Sequence, residues 1–188
     1  GRGGLALYTL LQCGVSRDHP AVQRAVAFLD GCEPDRTYAT TTMLLAYDAL
    51  RDGREERIAK FVENLLLWQK PGGDWAYPHG TQDLSCTQYA ALGLYIGQKH
   101  GIKIDPSHFL DLYDSLEDYR EEPRKIENPF LEDGRTGAAK IEIAGYRYRR
   151  HDENQKCTGS MTTAALAVME ICKAGLGRKL RRSTRNKI

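Results

Sequence analysis

The chain has 188 residues and carries 27 Lys and Arg against 25 Asp and Glu, so its net charge of +2 gives no global field that would favour nucleic acid. It is long enough to bury a sizeable core, and no stretch is apolar enough to span a membrane. Five cysteines (Cys13, Cys32, Cys86, Cys157 and Cys172) are odd in number, widely spaced and free of any CxxC pair, which argues against a disulfide framework or a zinc ribbon.

The predicted elements are helical and alternate in kind. Gly4 to Leu11 reads as the middle of an apolar helix with no capping residue before it, as if the chain were cut from a longer one. His19 to Leu29 is amphipathic, with Val22, Val26 and Leu29 on one stripe, Asp18 placed to cap it and Pro20 suited to its first turn. A second apolar helix follows Tyr38, Thr40 and Thr41 and runs through Leu45. The turn Arg51-Asp52-Gly53 stops it with a glycine. Arg54 to Trp68 is amphipathic again, with Ile58, Phe61, Val62, Leu65 and Leu66 inside.

A third apolar helix starts at Asp83 and carries Ala90, Ala91, Leu92, Gly93 and Leu94. Pro106 to Asp118 is its amphipathic partner, with Phe109, Leu110, Leu112, Tyr113 and Leu116 on the apolar stripe and Asp105 before Pro106. Residues 119–144 are charged, contain Pro123, Pro129 and Gly134, and read as an inserted loop, with Ala138 to Ile143 as a short strand or docking segment. A fourth apolar helix follows Thr158, and residues 178–188 form a basic tail or connector.

The four apolar helices overlay when Leu5, Leu45, Leu92 and Leu166 are put in register. Ala6, Ala46, Gly93 and Ala167 then fall at one small-residue position that suits close backbone approach, and Thr41, Gln88 and Thr162 align before them. Gln69-Lys70-Pro71-Gly72-Gly73-Asp74-Trp75 leads into the third helix, and Gly145-Tyr146-Arg147-Tyr148 leads into the fourth. A recurring turn and helix at this scale points to a repeat architecture.

These residues resemble the QxxxGxW repeat of squalene and oxidosqualene cyclases. Asp83 to Leu94 is similar to the inner-helix motif those enzymes share with protein prenyltransferase β subunits. The resemblance implies an all-α fold, an α/α toroid. Apolar inner helices form a barrel, amphipathic outer helices surround it, and this single-domain chain contributes a partial ring of about four inner/outer pairs. Gln69, Gly73 and Trp75, with Gly145 and Tyr146, are then the structural repeat motif: the amide bridges backbone groups, the glycine turns and the aromatic packs.

In such toroids the N-terminal ends of the inner helices face the cavity mouth. The candidates there are Tyr38, Thr41, Asp83, Ser85, Cys86, Tyr89, His151 and Thr162, all of which also suit capping or packing. The cyclase reading lacks its DxDD acid; Asp111, Asp114 and Asp118 lie on an outer helix, where a solvated face explains them. The prenyltransferase reading would need zinc, and Cys86 stands where the family's ligand follows Asp83 by three residues. The Asp-x-Cys ligands are missing from Arg36 to Thr40, and only His79 or His151 could join. No cofactor is therefore assigned. The expected partners are a hydrophobic or isoprenoid small molecule and the remainder of a longer chain. The competing reading is a non-catalytic scaffold or a toroid that binds protein or carbohydrate.

Overall fold

The computed structural model describes residues 1–77, 80–129, 131, 137–152 and 154–177. His79, Gly134 and the basic segment 178–188 therefore lie outside the described residues. The described chain is mostly helical. Its elements are α1 (Arg2–Gln12), α2 (Pro20–Asp30), α3 (Thr37–Leu50), α4 (Glu55–Trp68), α5 (Leu84–Lys99), α6 (Pro106–Ser115) and α7 (Gly159–Leu176). A 3₁₀ turn (Leu116–Tyr119) extends α6, and β1 (Arg124–Glu127) pairs antiparallel with β2 (Lys140–Ile143).

The apolar helices lie side by side in the order α1, α3, α5, α7. The amphipathic helices form a second layer: α2 packs on α1, α4 lies against both α3 and α5, and α6 packs on α7. The core between the layers takes one stripe from each outer helix: Val22, Val26 and Leu29; Ile58, Phe61, Val62 and Leu65; Phe109 and Leu112. This is the burial that amphipathic periodicity demands. Leu110 departs from its expected stripe and is 40% exposed. Among the described residues no amphipathic helix follows α7, so the apolar and amphipathic helices form three successive pairs with a fourth apolar helix beside them.

Local chemistry explains the ends. His19, not Asp18, caps α2, its Nδ1 accepting from the Ala21 N–H at 3.1 Å, with Pro20 at the first helical position. Asp105 caps α6 by accepting from Ser107 N–H at 2.8 Å. Helix α3 ends on Arg51, which takes the left-handed conformation that Gly53 was expected to supply.

The register Leu5, Leu45, Leu92 and Leu166 marks an outward-facing line: Leu5 and Leu166 are exposed, Leu45 and Leu92 half-buried. The small position beside it is not where backbones meet. A Cβ on Gly93 would lie 2.4 Å from Leu65 Cδ1 of α4, a side-chain contact, while Ala6 and Ala167 are exposed. Backbone approach occurs at Gly4, where an added Cβ would sit 2.7 Å from the Thr42 carbonyl. Thr42 Oγ1 also donates to Gly1 C=O at 3.0 Å, so α1 and α3 are held at their shared end. Gly4→Ala is expected to push α1 away from α3 and cost about 1–3 kcal/mol. A thermal melt that leaves the variant within 1 °C of the parent would contradict that contact.

The segment expected to be an inserted loop, 119–144, leaves the helical core only after its first residue. Tyr119 is fully buried and belongs to the core. The segment leaves and returns through neighbouring backbone: Arg120 bridges Tyr146, and Arg147 N–H donates to Tyr119 C=O at 2.8 Å. Beyond that neck, the β1–β2 hairpin occupies both sides of the insertion.

Candidate functional site

The turn between α4 and α5 is stitched to three elements. Gln69 Nε2 donates to Gly73 C=O at 2.8 Å and to His108 C=O of α6 at 3.0 Å, while its Oε1 meets His108 Nδ1. The Gln69 amide therefore closes its own turn and ties it to the start of the next outer helix. Trp75 is fully buried, and its indole N–H donates to Leu65 C=O of α4 at 2.7 Å.

The same wiring recurs before α7. Trp75 N–H donates to Thr87 Oγ1 at 3.1 Å, and Tyr146 N–H donates to Thr162 Oγ1 at 3.2 Å. Each threonine hydroxyl donates to the carbonyl of its helix cap, Thr87 to Asp83 and Thr162 to Thr158, both at 2.9 Å. Each cap side chain accepts from the third residue on: Asp83 from Cys86 N–H at 2.7 Å, Thr158 from Met161 N–H at 3.2 Å. This geometry equates Thr162 with Thr87, one residue earlier than the sequence register that placed it opposite Gln88.

The candidates separate into three groups. Tyr38, Ser85 and Tyr89 meet at the N-terminal ends of α3 and α5. The Tyr38 and Ser85 hydroxyls are hydrogen bonded, and the Tyr38 ring lies 4.1 Å from the Tyr89 ring, centroid to centroid. Asp83 and Cys86 are near enough to act on the Tyr38 phenol. Thr41 is buried between the helices and donates to Tyr89 C=O at 2.9 Å, so it is packed away from the rim. Thr162 holds the α7 turn as described, and His151 stands elsewhere, exposed beside Asp118 at 3.5 Å.

Two rim residues were not among the candidates. The Tyr77 ring stacks on Tyr38 at 5.6 Å with 5° between planes. Tyr148 is positioned by its carbonyl, which accepts the Leu84 N–H at 2.9 Å at the first turn of α5. Both follow a buried aromatic by two residues, Trp75-Ala76-Tyr77 and Tyr146-Arg147-Tyr148. In extended chain that spacing returns both rings to one side. Each turn thus brings its second aromatic to the start of the preceding apolar helix, Tyr77 to α3 and Tyr148 to α5. The repeated aromatic-x-aromatic spacing was the signal that could have found them.

The rim is aromatic and electrically quiet. Burial, more than any neighbour, pushes the Tyr38 phenol up to about 12. Tyr148 is likewise pushed up to about 12, first by burial and then by the Asp83 carboxylate. Tyr77 is raised by the same two causes, with the Cys86 thiol between them in weight. All three are neutral hydroxyls at physiological pH. Cys86 is fully buried, and burial with Asp83 beside it drives its thiol pKa up, away from the thiolate that a zinc ligand requires. Among the described residues no three His, Cys, Asp or Glu side chains stand together as a metal group.

A second polar cluster lies behind the turn. The Asp74 carboxylate is fully buried; it accepts from Tyr119 OH at 2.7 Å and pairs with Arg150 Nη1 at 3.3 Å. Arg150 also pairs with Asp118, which is therefore engaged in an ion pair and not simply a solvated outer-helix acid. Burial and the Asp74 partner hold Tyr119 neutral, its pKa raised far above the ordinary phenol. Near α7, Glu121 accepts from Gly145 N–H at 2.7 Å, which lowers its pKa below the usual carboxylate value. A Cβ on Gly145 would lie 2.7 Å from Cys157 Cβ, so the turn passes close against that side chain.

No protein-family model matches the chain, and no curated protein matches it.

Proposed function

We propose that this chain is a stretch of an α/α toroid of the prenyltransferase and squalene cyclase repeat type, and that its inner-helix rim holds an apolar ligand of the isoprenoid class. The observation that carries this reading is the row of tyrosines, Tyr77, Tyr38, Tyr89 and Tyr148, gathered over the N-terminal ends of α3 and α5. Aromatic faces suit extended unsaturated hydrocarbon, and each well-placed ring contributes about 0.5–1.5 kcal/mol beyond its buried area. The alternation of apolar and amphipathic helices and the stitching by Gln69 and Trp75 support the repeat-family part of the reading.

Binding, not chemistry, is what these groups suit. The Asp83 carboxylate caps α5, the Cys86 thiol is buried and protonated, and the phenols are neutral. A general acid or a metal nucleophile would need a group freed from those duties. Isoprenoid chemistry elsewhere on a longer chain is compatible with a rim of this kind.

The test uses farnesol as the probe, followed by quenching of intrinsic fluorescence. Tyr77 is 41% exposed, so Tyr77→Ser should leave the melting temperature within about 2 °C while weakening farnesol binding 3- to 10-fold. Tyr77→Ser with Tyr148→Ser should weaken it about 10- to 100-fold. Absence of farnesol binding by the parent chain, or equal binding by the double variant, overturns the proposal.

A further inference from the structure

The hairpin carries the tripeptide Lys-Ile-Glu twice, as Lys125-Ile126-Glu127 in β1 and Lys140-Ile141-Glu142 in β2. Within the chain the two copies pair antiparallel: Lys125 faces Glu142, Ile126 faces Ile141 and Glu127 faces Lys140. The charged pairs close at 3.8 Å and 3.3 Å. A Lys-Ile-Glu strand is thus complementary to an antiparallel copy of itself, and the hairpin is one instance of that match. Lys125, Glu127, Lys140 and Glu142 lie on one face; Ile126, Ile141 and Ile143, all half-buried, lie on the other, where the exposed Arg124 stands opposite Ile143.

The ladder also shows which edge is open. Asn128 N–H donates to Ala139 C=O at 2.9 Å, so by antiparallel alternation Ile126 and Ile141 bond inward across the hairpin. Lys125, Glu127, Lys140 and Glu142 then turn their backbone groups outward. On the β1 edge the next outward positions are Pro123 and Pro129, which have no N–H to donate. The β2 edge has no proline between residues 138 and 144. Among the described residues the sheet has two strands only, and the Lys140 and Glu142 side chains are each more than half exposed.

We infer that the β2 edge is a self-association surface, on which β2 of a second copy of this chain pairs antiparallel about a two-fold axis at Ile141. That register sets Lys140 opposite Glu142 of the second copy, Ile141 opposite its equivalent, and Ala139 opposite Ile143 of the second copy. It satisfies the outward backbone groups of Lys140 and Glu142 as a bonded pair, as the alternation requires. The resulting four-stranded sheet carries charge rows that alternate in sign across all four strands, Glu127, Lys140, then Glu142 and Lys125 of the second copy. Its other face carries one continuous isoleucine row, Ile126 and Ile141 of both copies, with Arg124 and Ile143 beside it. The contact is isologous, so it closes as a dimer and does not propagate. A strand pairing this short lies well below a standard interface, so the dimer is expected to be a weak one.

The experiment measures mass by sedimentation equilibrium over a concentration series of the whole chain. The parent should move from monomer to dimer. Glu142→Lys alone and Lys140→Glu alone each place like charges opposite one another, and each should dimerise about 10- to 100-fold more weakly. An equimolar mixture of these two variants restores opposite charges in both cross-strand pairs and should recover the dimer. Because either variant could loosen its own hairpin, Ile141→Cys supplies the second arm. Its equivalents face each other as a non-bonded pair about 4.5 Å apart, close enough for a disulfide. Mild oxidation should yield a dimer whose peptide map joins position 141 to itself. A parent that stays monomeric at millimolar concentration, or a dimer indifferent to both charge variants and without the 141–141 crosslink, overturns the inference.

Discussion

Gly73→Ala should be the most damaging conservative change in the chain, lowering the melting temperature by about 10 °C, a loss of about 4 kcal/mol. Two costs add. Gly73 has φ +88°, where an alanine is strained by roughly 1–2 kcal/mol. Its Cβ would also fall 2.0 Å from the Asp111 carbonyl and 2.9 Å from the Leu112 nitrogen of α6, atoms of rigid helix backbone that cannot swing aside. Relief requires the turn to move off α6, which breaks the Gln69 contacts to His108. Gly53→Ala separates the two costs. Gly53 has φ +84°, but the nearest atom to an added Cβ is the Glu55 carboxylate at 3.9 Å. That variant should lose only about 1 kcal/mol. Equal losses in the two variants would mean that the approach of Gly73 to Asp111 does not exist in solution.

Arg150→Met should cost about 3–5 kcal/mol, although Arg150 lies in a loop that shows no helical or strand pattern. The reason is the partner it abandons. Asp74 is fully buried, and without the guanidinium it keeps only the Tyr119 hydroxyl for a charge that burial penalises. Asp74→Asn should cost less, about 1–2 kcal/mol, because the Asn carbonyl still accepts from Tyr119 and Arg150 still pairs with Asp118. The double variant Asp74→Asn with Arg150→Met should be more stable than Arg150→Met alone. Urea unfolding of the four proteins completes the cycle. A double variant no better than Arg150→Met would remove Asp74 as the source of the loss.

The helical layers were legible because each outer helix repeats its apolar residues on one stripe, Ile58, Phe61, Val62 and Leu65 being the clearest case. Capping was legible at Asp83 and Asp105, whose carboxylates accept helix N–H groups. It failed at His19, since an imidazole acceptor is not an ordinary cap and Asp18 beside it is. The offset at Thr162 has a different origin. The helix bodies keep the sequence register, with Ala164, Ala165 and Val168 buried as Ala90, Ala91 and Leu94 are, while the hydroxyls that accept the turn N–H groups pair Thr162 with Thr87 and not with Gln88.

At the rim, Tyr38, Ser85 and Tyr89 could be read from helix starts, because position on a helix sets direction. Tyr77 and Tyr148 lie in non-helical turns, where direction depends on what the turn packs against. Arg150 was illegible for a different reason. Its partner Asp74 is 76 residues away in sequence, and long-range ion pairs leave no periodic trace.

The neck of the insertion has a consequence for how such a chain can change. Arg120 and Tyr146 sit across from each other, and Glu121 N–H reaches Gly145 C=O at 3.0 Å, so the segment departs and returns at a single point. Lengthening a loop whose ends already touch adds only a slowly growing entropy, about 0.6 kcal/mol for each doubling. Whatever is spliced beyond Glu121 therefore leaves the helical frame indifferent to it. The same junction is a natural graft point: foreign sequence could replace the hairpin there while α6, α7 and the tyrosine rim keep their places.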